Sequence, residues 1–263
     1  MARRQRAARR GGRAGAARWL REAMIEDTLE RLDFLRWNGH RALVSGAWGS
    51  DLAAKLRPLA SGVIAVDSLA LEASIAGGPF DLIVSLLTLH AVDDPVGALA
   101  HYARALKPDG LFLGAAFGED TLRELRAVLL AAETEESGGA AQRTHPNAGV
   151  RDWGGALQRA GFALPVVDTD RAEVGYRTPR RLIDDLRGIG ETAALADRAP
   201  PLRRAAAAAF LAQLPRTATF DIVMLTGWAP APTQPKPLRP GSAQVRLSDA
   251  LKSYGAGNDR SEA

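Results

Sequence analysis

The chain has 263 residues, of which 46% are hydrophobic and 24% are charged, so it can form one domain with a sizeable core. It has no cysteine, which excludes disulfides, thiolate metal sites and cysteine nucleophiles, and its four histidines are not spaced to bind zinc. No apolar run approaches the roughly 18 residues that cross a bilayer. We therefore expect a soluble cytoplasmic protein with no transmembrane segment and no metal site.

The basic residues are concentrated at the start of the chain. Eight arginines precede the first acidic residue, Glu22, so the remaining chain has 26 basic and 30 acidic residues. This arm is interpreted either as a docking or targeting segment or as the solvated start of a helix. It has no interleaved aromatic residues and no recognised RNA-binding module, so we predict no nucleic-acid partner.

The first half of the chain alternates between helix and strand patterns. Apolar residues three and four apart predict a helix over residues 14–35, which Asn38-Gly39 terminates. Asp94 is expected to cap a later helix rather than bind substrate. Strands are predicted over 41–45, 62–67, 80–86 and 111–117, and helices over 51–57 and 95–106. This alternation implies right-handed crossovers and a parallel sheet in an α/β fold.

Helix patterns dominate the second half. They predict helices over 120–135, 150–160, 179–188 and 201–214. Strands are predicted over 162–168 and 218–228, the second as an edge or near-edge strand because its apolar residues alternate. The prolines between Pro230 and Pro240 predict an extended tail.

The turn after the first strand has the composition of a cofactor-binding loop. Its sequence is Gly46-Ala47-Trp48-Gly49, and the second strand ends eighteen residues later in Asp67. Glycines let the backbone approach a ligand, a helix N-terminus offers free N–H groups, and an acid at this position can bind ribose hydroxyls. The pattern Gly-x-Gly-x-x-Gly is absent, so a purely structural strand–turn–helix is the alternative interpretation.

Two later stretches closely resemble class I S-adenosylmethionine-dependent methyltransferases. They are residues 80–90, FDLIVSLLTLH, and the Lys107-Pro108-Asp109-Gly110 that precedes the next strand. Other stretches resemble alphaproteobacterial relatives of mitochondrial complex I assembly factor 5, which are akin to the malonyl-carrier-protein methyltransferase of biotin synthesis. These stretches are residues 121–126, 150–154, 159–162, 184–191, 225–230 and 236–243.

The resemblance implies a Rossmann-like sheet that is parallel except for an antiparallel terminal hairpin. The implied organisation is a basic arm and N-terminal helix over 1–38, a methyltransferase-like domain over 39–230 with lid helices at about 178–214, and an extended tail over 231–263. S-adenosylmethionine is the implied cofactor, and the residues expected to bind it are Gly46, Ala47, Trp48, Gly49, Asp67, Ser68 and Leu86. Only twelve residues separate Asp67 from Phe80, so we expect the third strand of this fold to be shortened or missing.

The implied function is methyl transfer to an acceptor that the sequence does not identify. The family suggests a carrier-protein carboxylate or a protein side chain, and a respiratory complex I subunit is one candidate partner. The alternative hypothesis is a catalytically weakened, non-enzymatic assembly factor for complex I, or an arginine hydroxylase as in the mitochondrial relative. The short segment after Asp67 favours the assembly role, whereas the retention of Asp67 and His90 favours the enzyme.

Five residues are candidates for the acceptor side of the site. His90 follows the carboxyl end of a buried strand, so it is either a base or positioning residue, or an ordinary loop histidine. Arg151, Asp152 and Arg187 are candidate substrate residues because arginine can bind a carboxylate or phosphate; surface ion pairs are the alternative. Tyr176 is the fifth candidate and is expected to line the pocket.

Overall fold

A six-stranded sheet organises the residues that the computed structural model describes, which are 17–46, 48–66, 75–191 and 199–235. The strands are β1 (Arg41–Gly46), β2 (Gly62–Val66), β3 (Phe80–Leu86), β4 (Leu106–Phe117), β5 (Ala163–Gly175) and β6 (Thr217–Trp228). They lie in the order β2-β1-β3-β4-β6-β5. Strands β1 to β4 are parallel, and β6 is antiparallel to both β4 and β5. The predicted Rossmann-like sheet with an antiparallel terminal hairpin is confirmed.

The third strand of the full fold is not found among the described residues between β2 and β3. Residues 75–79 contain no strand, and residues 67–74 lie outside the described part of the chain. Strand β2 is consequently the outermost strand on its side of the described sheet. Its Ile64 side chain is 42% exposed.

Helices cover both faces of the sheet. They are α1 (Arg18–Phe34), α2 (Gly49–Leu56), α3 (Pro95–Ala105), α4 (Arg123–Ser137), α5 (Val150–Arg159), α6 (Pro179–Ile189) and α7 (Arg204–Ala212), with a 3₁₀ turn at Leu89–Ala91. The expected cap of α3 is present, because the Asp94 carboxylate accepts a hydrogen bond of 2.8 Å from the Gly97 N–H. No described helix is long and apolar enough to cross a membrane. These elements belong to a unit that ends at Pro230, and residues 231–235 belong to the next unit.

The core has two layers because successive residues of each strand point to opposite faces. Val44 packs in the layer beneath α1, α2, α4 and α6, whereas Leu43 packs in the layer beneath α3 and α5. Trp153 of α5 is 2% exposed and belongs to the second layer.

Arg31 of α1 makes paired bonds of 2.8 and 2.7 Å to the Asp168 carboxylate of β5, which fixes the first helix to the edge of the sheet.

Strand β4 begins earlier than predicted. The sequence predicts this strand over 111–117, with residues 107–110 before it, but these residues belong to the strand from Leu106 onward. The Asp109 N–H donates to the Ala229 carbonyl at 3.1 Å, and the Ala229 N–H donates to the Gly110 carbonyl at 2.9 Å. Asp109 has a φ of 64°, and the register with β3 shifts here, so the turn sequence forms a bulge within the ladder.

Strand β5 is nearly twice as long as predicted. The sequence predicts it over 162–168, but it continues to Gly175, which pairs with Thr217 of β6. Its middle is polar and exposed because it is an edge strand, so the apolar pattern that identifies a strand is weak there. The near-edge position predicted for β6 is confirmed, although both of its faces are buried.

Gly46→Ala is expected to destabilise the fold by at least about 2 kcal/mol. The added Cβ would overlap the Leu86 carbonyl oxygen, and the residue has a φ of 98°, which side chains disfavour. The matched control is Gly155→Ala in α5, where nothing lies within 4 Å of the added Cβ. Alanine is the better helix former, so the control should gain about 0.5–1 kcal/mol. Urea unfolding measures the free energy of unfolding of both variants. A Gly46→Ala protein as stable as wild type would contradict the close approach of Gly46 to the Leu86 carbonyl.

Candidate functional site

The turn between β1 and α2 lies at the carboxyl edge of the parallel strands, where the sequence predicts the cofactor loop. Gly46 pairs with Leu86 at the end of β3. Trp48 has a φ of 56° and precedes α2, whose first turn has no side-chain cap. A Cβ placed on Gly49 would meet nothing closer than 3.6 Å. The backbone N–H groups at this helix end are therefore not occupied by a capping side chain, while Ala47, Asp67 and Ser68 lie outside the described residues.

A buried network of hydroxyl groups fixes the ends of β1 and β3. The Tyr102 hydroxyl lies 3.0 Å from the Ser45 hydroxyl and 3.2 Å from that of Ser85. Ser85 also bonds the Thr88 hydroxyl at 2.7 Å. Tyr102 is fully buried, and this burial raises the pKa of its phenol. The sequence analysis did not predict this network. The signal that could have found it is one serine in each of two apolar strands, and the fold places Ser45 and Ser85 side by side in register.

His90 is buried on the 3₁₀ turn that follows β3. Its side chain is 1% exposed, and Nε2 lies 3.3 Å from the Glu191 carboxylate. Nδ1 lies 3.5 Å from the Phe117 backbone nitrogen, and the two rings pack with centroids 4.9 Å apart. If Phe117 donates to Nδ1, the proton of a neutral imidazole is on Nε2 and is donated to Glu191.

Two neighbouring cavities meet at His90 and His145, which line both of them. The larger cavity, about 330 Å³, lies between the 3₁₀ turn and α5. The smaller cavity, about 160 Å³, lies beside the end of β4. Residues that contribute to the larger cavity include Asp93, Pro95, Pro146, Asp152, Trp153 and Arg159. Residues that contribute to the smaller cavity include Phe117, Thr121, Leu125, Arg143, Leu186 and Glu191.

Comparison with known proteins assigns this architecture to a family. A model of the methyltransferase domain family matches residues 15–166. The chain belongs to this family. The sequence resemblance to class I methyltransferases is thereby confirmed, and S-adenosylmethionine is the cofactor that this family uses.

Two curated relatives of this methyltransferase-family chain differ in their chemistry. The mitochondrial arginine-hydroxylase NDUFAF5 of Mus musculus is 42% identical over 182 residues, which are 66% of this chain and 53% of the relative. The malonyl-[acyl-carrier protein] O-methyltransferase of Laribacter hongkongensis is 36% identical over 167 residues, 60% of this chain and 54% of the relative. The chain therefore spans about half the length of the curated relatives it matches.

Two features of the methyltransferase turn are compatible with holding S-adenosylmethionine. Gly46 lets the backbone pass close to the end of β3, and the N-terminus of α2 has no side-chain cap. Gly49 itself is buried, and a Cβ there would lie 3.6 Å from Val44 and from the Val66 carbonyl oxygen. The Trp48 ring, which is expected from the sequence to lie beside the cofactor, is partly buried and packs against the first core layer.

The predicted substrate residues of this methyltransferase fold do not come together. Asp152 lines the larger cavity, and its carboxylate also accepts a 3.4 Å bond from the Gly149 N–H at the start of α5. Arg151 is exposed on the same helix. Arg187 is half exposed, 4.0 Å from Asp184 on α6. Tyr176 is 9% exposed in the first core layer, and its hydroxyl has no hydrogen-bond partner among the described residues. Of these four, Asp152 alone lines one of the two cavities.

A buried ion pair beside the cavities has no signal in the sequence. Glu133 of α4 accepts bonds of 2.8 and 2.6 Å from Arg143, whose side chain also lines the smaller cavity. The Arg143 guanidinium, with the Ala141 N–H, holds the pKa of the Glu133 carboxyl below its usual range. The two residues are ten apart across a glycine-containing loop, so no helical or strand period links them.

Tyr102→Phe is expected to destabilise the protein by about 1–2 kcal/mol, because buried serine hydroxyls lose a hydrogen-bond partner. The control is Ser61→Ala, which removes an exposed hydroxyl that bonds the His40 carbonyl at 3.3 Å. Its effect should stay within about 0.5 kcal/mol. Urea unfolding monitored by circular dichroism compares the two, and equal effects would show that the buried network does not stabilise the strand ends.

Proposed function

We propose that this chain is an S-adenosylmethionine-dependent methyltransferase whose acceptor binds in the cavities beside His90. The observation that carries the proposal is the shared edge of the sheet. Leu86 pairs with Gly46 of the cofactor turn, and His90 follows Leu86 by four residues. The cofactor and the acceptor would therefore meet at the carboxyl ends of β1 and β3, where ligands of open α/β sheets bind.

The proposed cofactor residues are those of the turn and of the end of β3. Gly46, Trp48 and Gly49 supply backbone groups, and Leu86 forms the floor. Ala47, Asp67 and Ser68 complete the proposed set, with Asp67 for the ribose hydroxyls. When bound, S-adenosylmethionine supplies an electrophilic methyl group on a sulfonium centre, and the protein contributes proximity and orientation.

In this proposal His90 positions the acceptor and takes up its proton. The Glu191 carboxylate fixes the ring through Nε2 and would stabilise the imidazole when it becomes charged. The other nitrogen, Nδ1, has a long contact of 3.5 Å with the Phe117 N–H, so its lone pair is weakly engaged. Such a nitrogen can accept a proton from an amine or hydroxyl nucleophile.

The charges around the smaller cavity favour a neutral or cationic protein side chain over a carboxylate as the acceptor. A carboxylate would need a cation, but Arg143 is bonded by both oxygens of Glu133. Glu191 is the one acidic residue among the described lining residues of this cavity. A carrier-protein carboxylate is the competing acceptor, and Arg159 of the larger cavity is the described cation it would use. The expected complex I subunit is one protein that could supply such a side chain.

A second candidate function is a non-enzymatic assembly factor for respiratory complex I. The observation that favours it is that residues 75–79, the described residues between β2 and β3, contain no strand, because the third strand of the full fold would border the cofactor site. One relative is named an arginine-hydroxylase, so a hydroxylase is the other non-methylating alternative. The cytoplasmic location and the lid role of α6 and α7 stay predictions.

Calorimetric titration distinguishes the enzyme from the assembly factor. The intact chain should bind S-adenosylmethionine and S-adenosylhomocysteine with a dissociation constant on the order of micromolar. Asp67→Ala should weaken binding at least about tenfold, because a carboxylate that bonds ribose hydroxyls is lost. The control Asp170→Ala removes an exposed carboxylate on β5 and should leave binding unchanged. No binding heat at about 1 mM of either ligand would favour the assembly role.

Glu191→Gln should lower kcat at least about tenfold and leave the affinity for S-adenosylmethionine unchanged, because the amide cannot stabilise a charged His90. Release of S-adenosylhomocysteine measures kcat, with malonyl-carrier protein and an arginine-containing peptide as trial acceptors. Glu173→Gln, on the exposed face of β5, is the matched control. An unchanged kcat would assign Glu191 a structural role.

A further inference from the structure

Residues 140–148, named here the roof segment, connect α4 to α5 without a helix or strand of their own. Most of these residues are half-buried, which means that one side faces solvent while the other faces the protein. His145, Pro146 and Ala148 line the larger cavity. Arg143, Thr144, His145 and Asn147 line the smaller cavity. The roof segment is therefore a common wall of both cavities, opposite the edge of the sheet that carries His90.

A latch holds the roof segment to α4. The Glu133 carboxylate accepts bonds from Arg143 Nε at 2.8 Å and Nη2 at 2.6 Å, and from the Ala141 N–H at 3.2 Å. The Glu133 side chain is 10% exposed, and the Arg143 side chain is 16% exposed. Removing one partner of such a buried pair leaves an uncompensated charge, so a substitution at either residue is expected to weaken the latch strongly.

Close packing does not hold this side of the roof segment. A third cavity of about 180 Å³ lies between α4 and residues 141–144, and it is lined by Leu129, Leu130 and the latch residues themselves. Leu130 is 59% exposed beside it. The latch thus spans a gap rather than a packed interface, and it supplies directional bonds where apolar contact is sparse.

Glycines border the roof segment at both ends. Gly138 has a φ of 68°, and neither Gly138 nor Gly139 has any atom within 4 Å of the position a Cβ would take. Gly149 precedes α5 at the other end, where the position of a Cβ would lie 3.1 Å from the Glu119 carboxylate. The Gly138-Gly139 pair, with its open surroundings, is therefore the end of the segment best suited to absorb the backbone rotation of a moving loop.

We propose that the roof segment gates access to the acceptor cavities and that Glu133 and Arg143 are the positioning residues that hold it closed. With the roof closed, the His90 side chain is 1% exposed, although it lines both cavities. Opening at the glycines would uncover His90 and admit an acceptor too large to pass the closed segment. The inference deepens the proposed function, since it concerns the acceptor site, but the gate exists whether or not methyl transfer occurs.

Modification of histidines by diethyl pyrocarbonate tests the gate without any acceptor or cofactor. Glu133→Gln replaces one latch oxygen by an NH₂ group that cannot accept a bond from Arg143, so the roof should open more often. The modification rate of His90, measured by peptide mass spectrometry and divided by that of exposed His40, should rise about tenfold or more. Glu136→Gln, an exposed position on the same helix, is the matched control and should leave the ratio unchanged.

Hydrogen exchange of residues 139–149 provides the second measurement. It should accelerate in Glu133→Gln but not in Glu136→Gln, while the exchange of β3 stays at the wild-type rate. If the exchange accelerates but the His90 modification ratio does not rise, the roof segment does not control access to His90 and the proposal is wrong. If neither changes, the latch does not hold the roof, and the proposal is equally wrong.

Arg143→Lys is the variant to measure if the Glu133→Gln protein fails to fold. It keeps the positive charge and loses the paired geometry, so it should raise the His90 ratio by a smaller factor. An unchanged ratio in a folded Arg143→Lys protein would overturn the proposal. None of these results depends on S-adenosylmethionine binding, so the gate and the proposed methyl transfer can fail independently.

Discussion

The close approach of Gly46 to the Leu86 carbonyl is the constraint on which the rest of the site depends. Because the last residue of β1 has no side chain, the ends of β1 and β3 lie against each other and the chain turns directly into α2. The hydroxyls of Ser45 and Ser85, which are neighbours in register on these strands, both bond the Tyr102 hydroxyl. The residues after Leu86 then start from a fixed position, which places the turn with His90 at the same edge as the cofactor loop.

Two carboxylates with little exposure lie beside the cavities. The paired bonds of Arg31 to Asp168 lie at a partly exposed sheet edge, where ion pairs contribute modestly. In contrast, Glu191 beside His90, and Glu133 beside Arg143, are buried at the rim of the cavities. Desolvation makes a buried pair weak evidence for stability. The roles proposed for these two carboxylates are therefore to orient a histidine and to hold a loop.

The sheet of this family does not by itself fix the activity. The strand order and the antiparallel hairpin are those of a class I methyltransferase, but no strand follows β2 in the described residues before β3. One curated relative is named for methylating a carrier-bound malonyl group and another for hydroxylating arginine. A shared sheet thus accommodates different chemistry, because function resides in the side chains and loops at its edge.

The sequence by itself determined the sheet class, the position of β1 and β3 and the glycine turn, because apolar runs and a glycine are local signals. It also predicted that His90 would lie at the carboxyl edge, since chain order fixes where a parallel strand ends. Only the tertiary structure decided the partners of His90 and of Glu133, because Glu191 is about a hundred residues away and Arg143 lies across an irregular loop. It also extended β5 to Gly175, since an exposed edge strand is defined by its pairing with β6 rather than by its own apolar pattern.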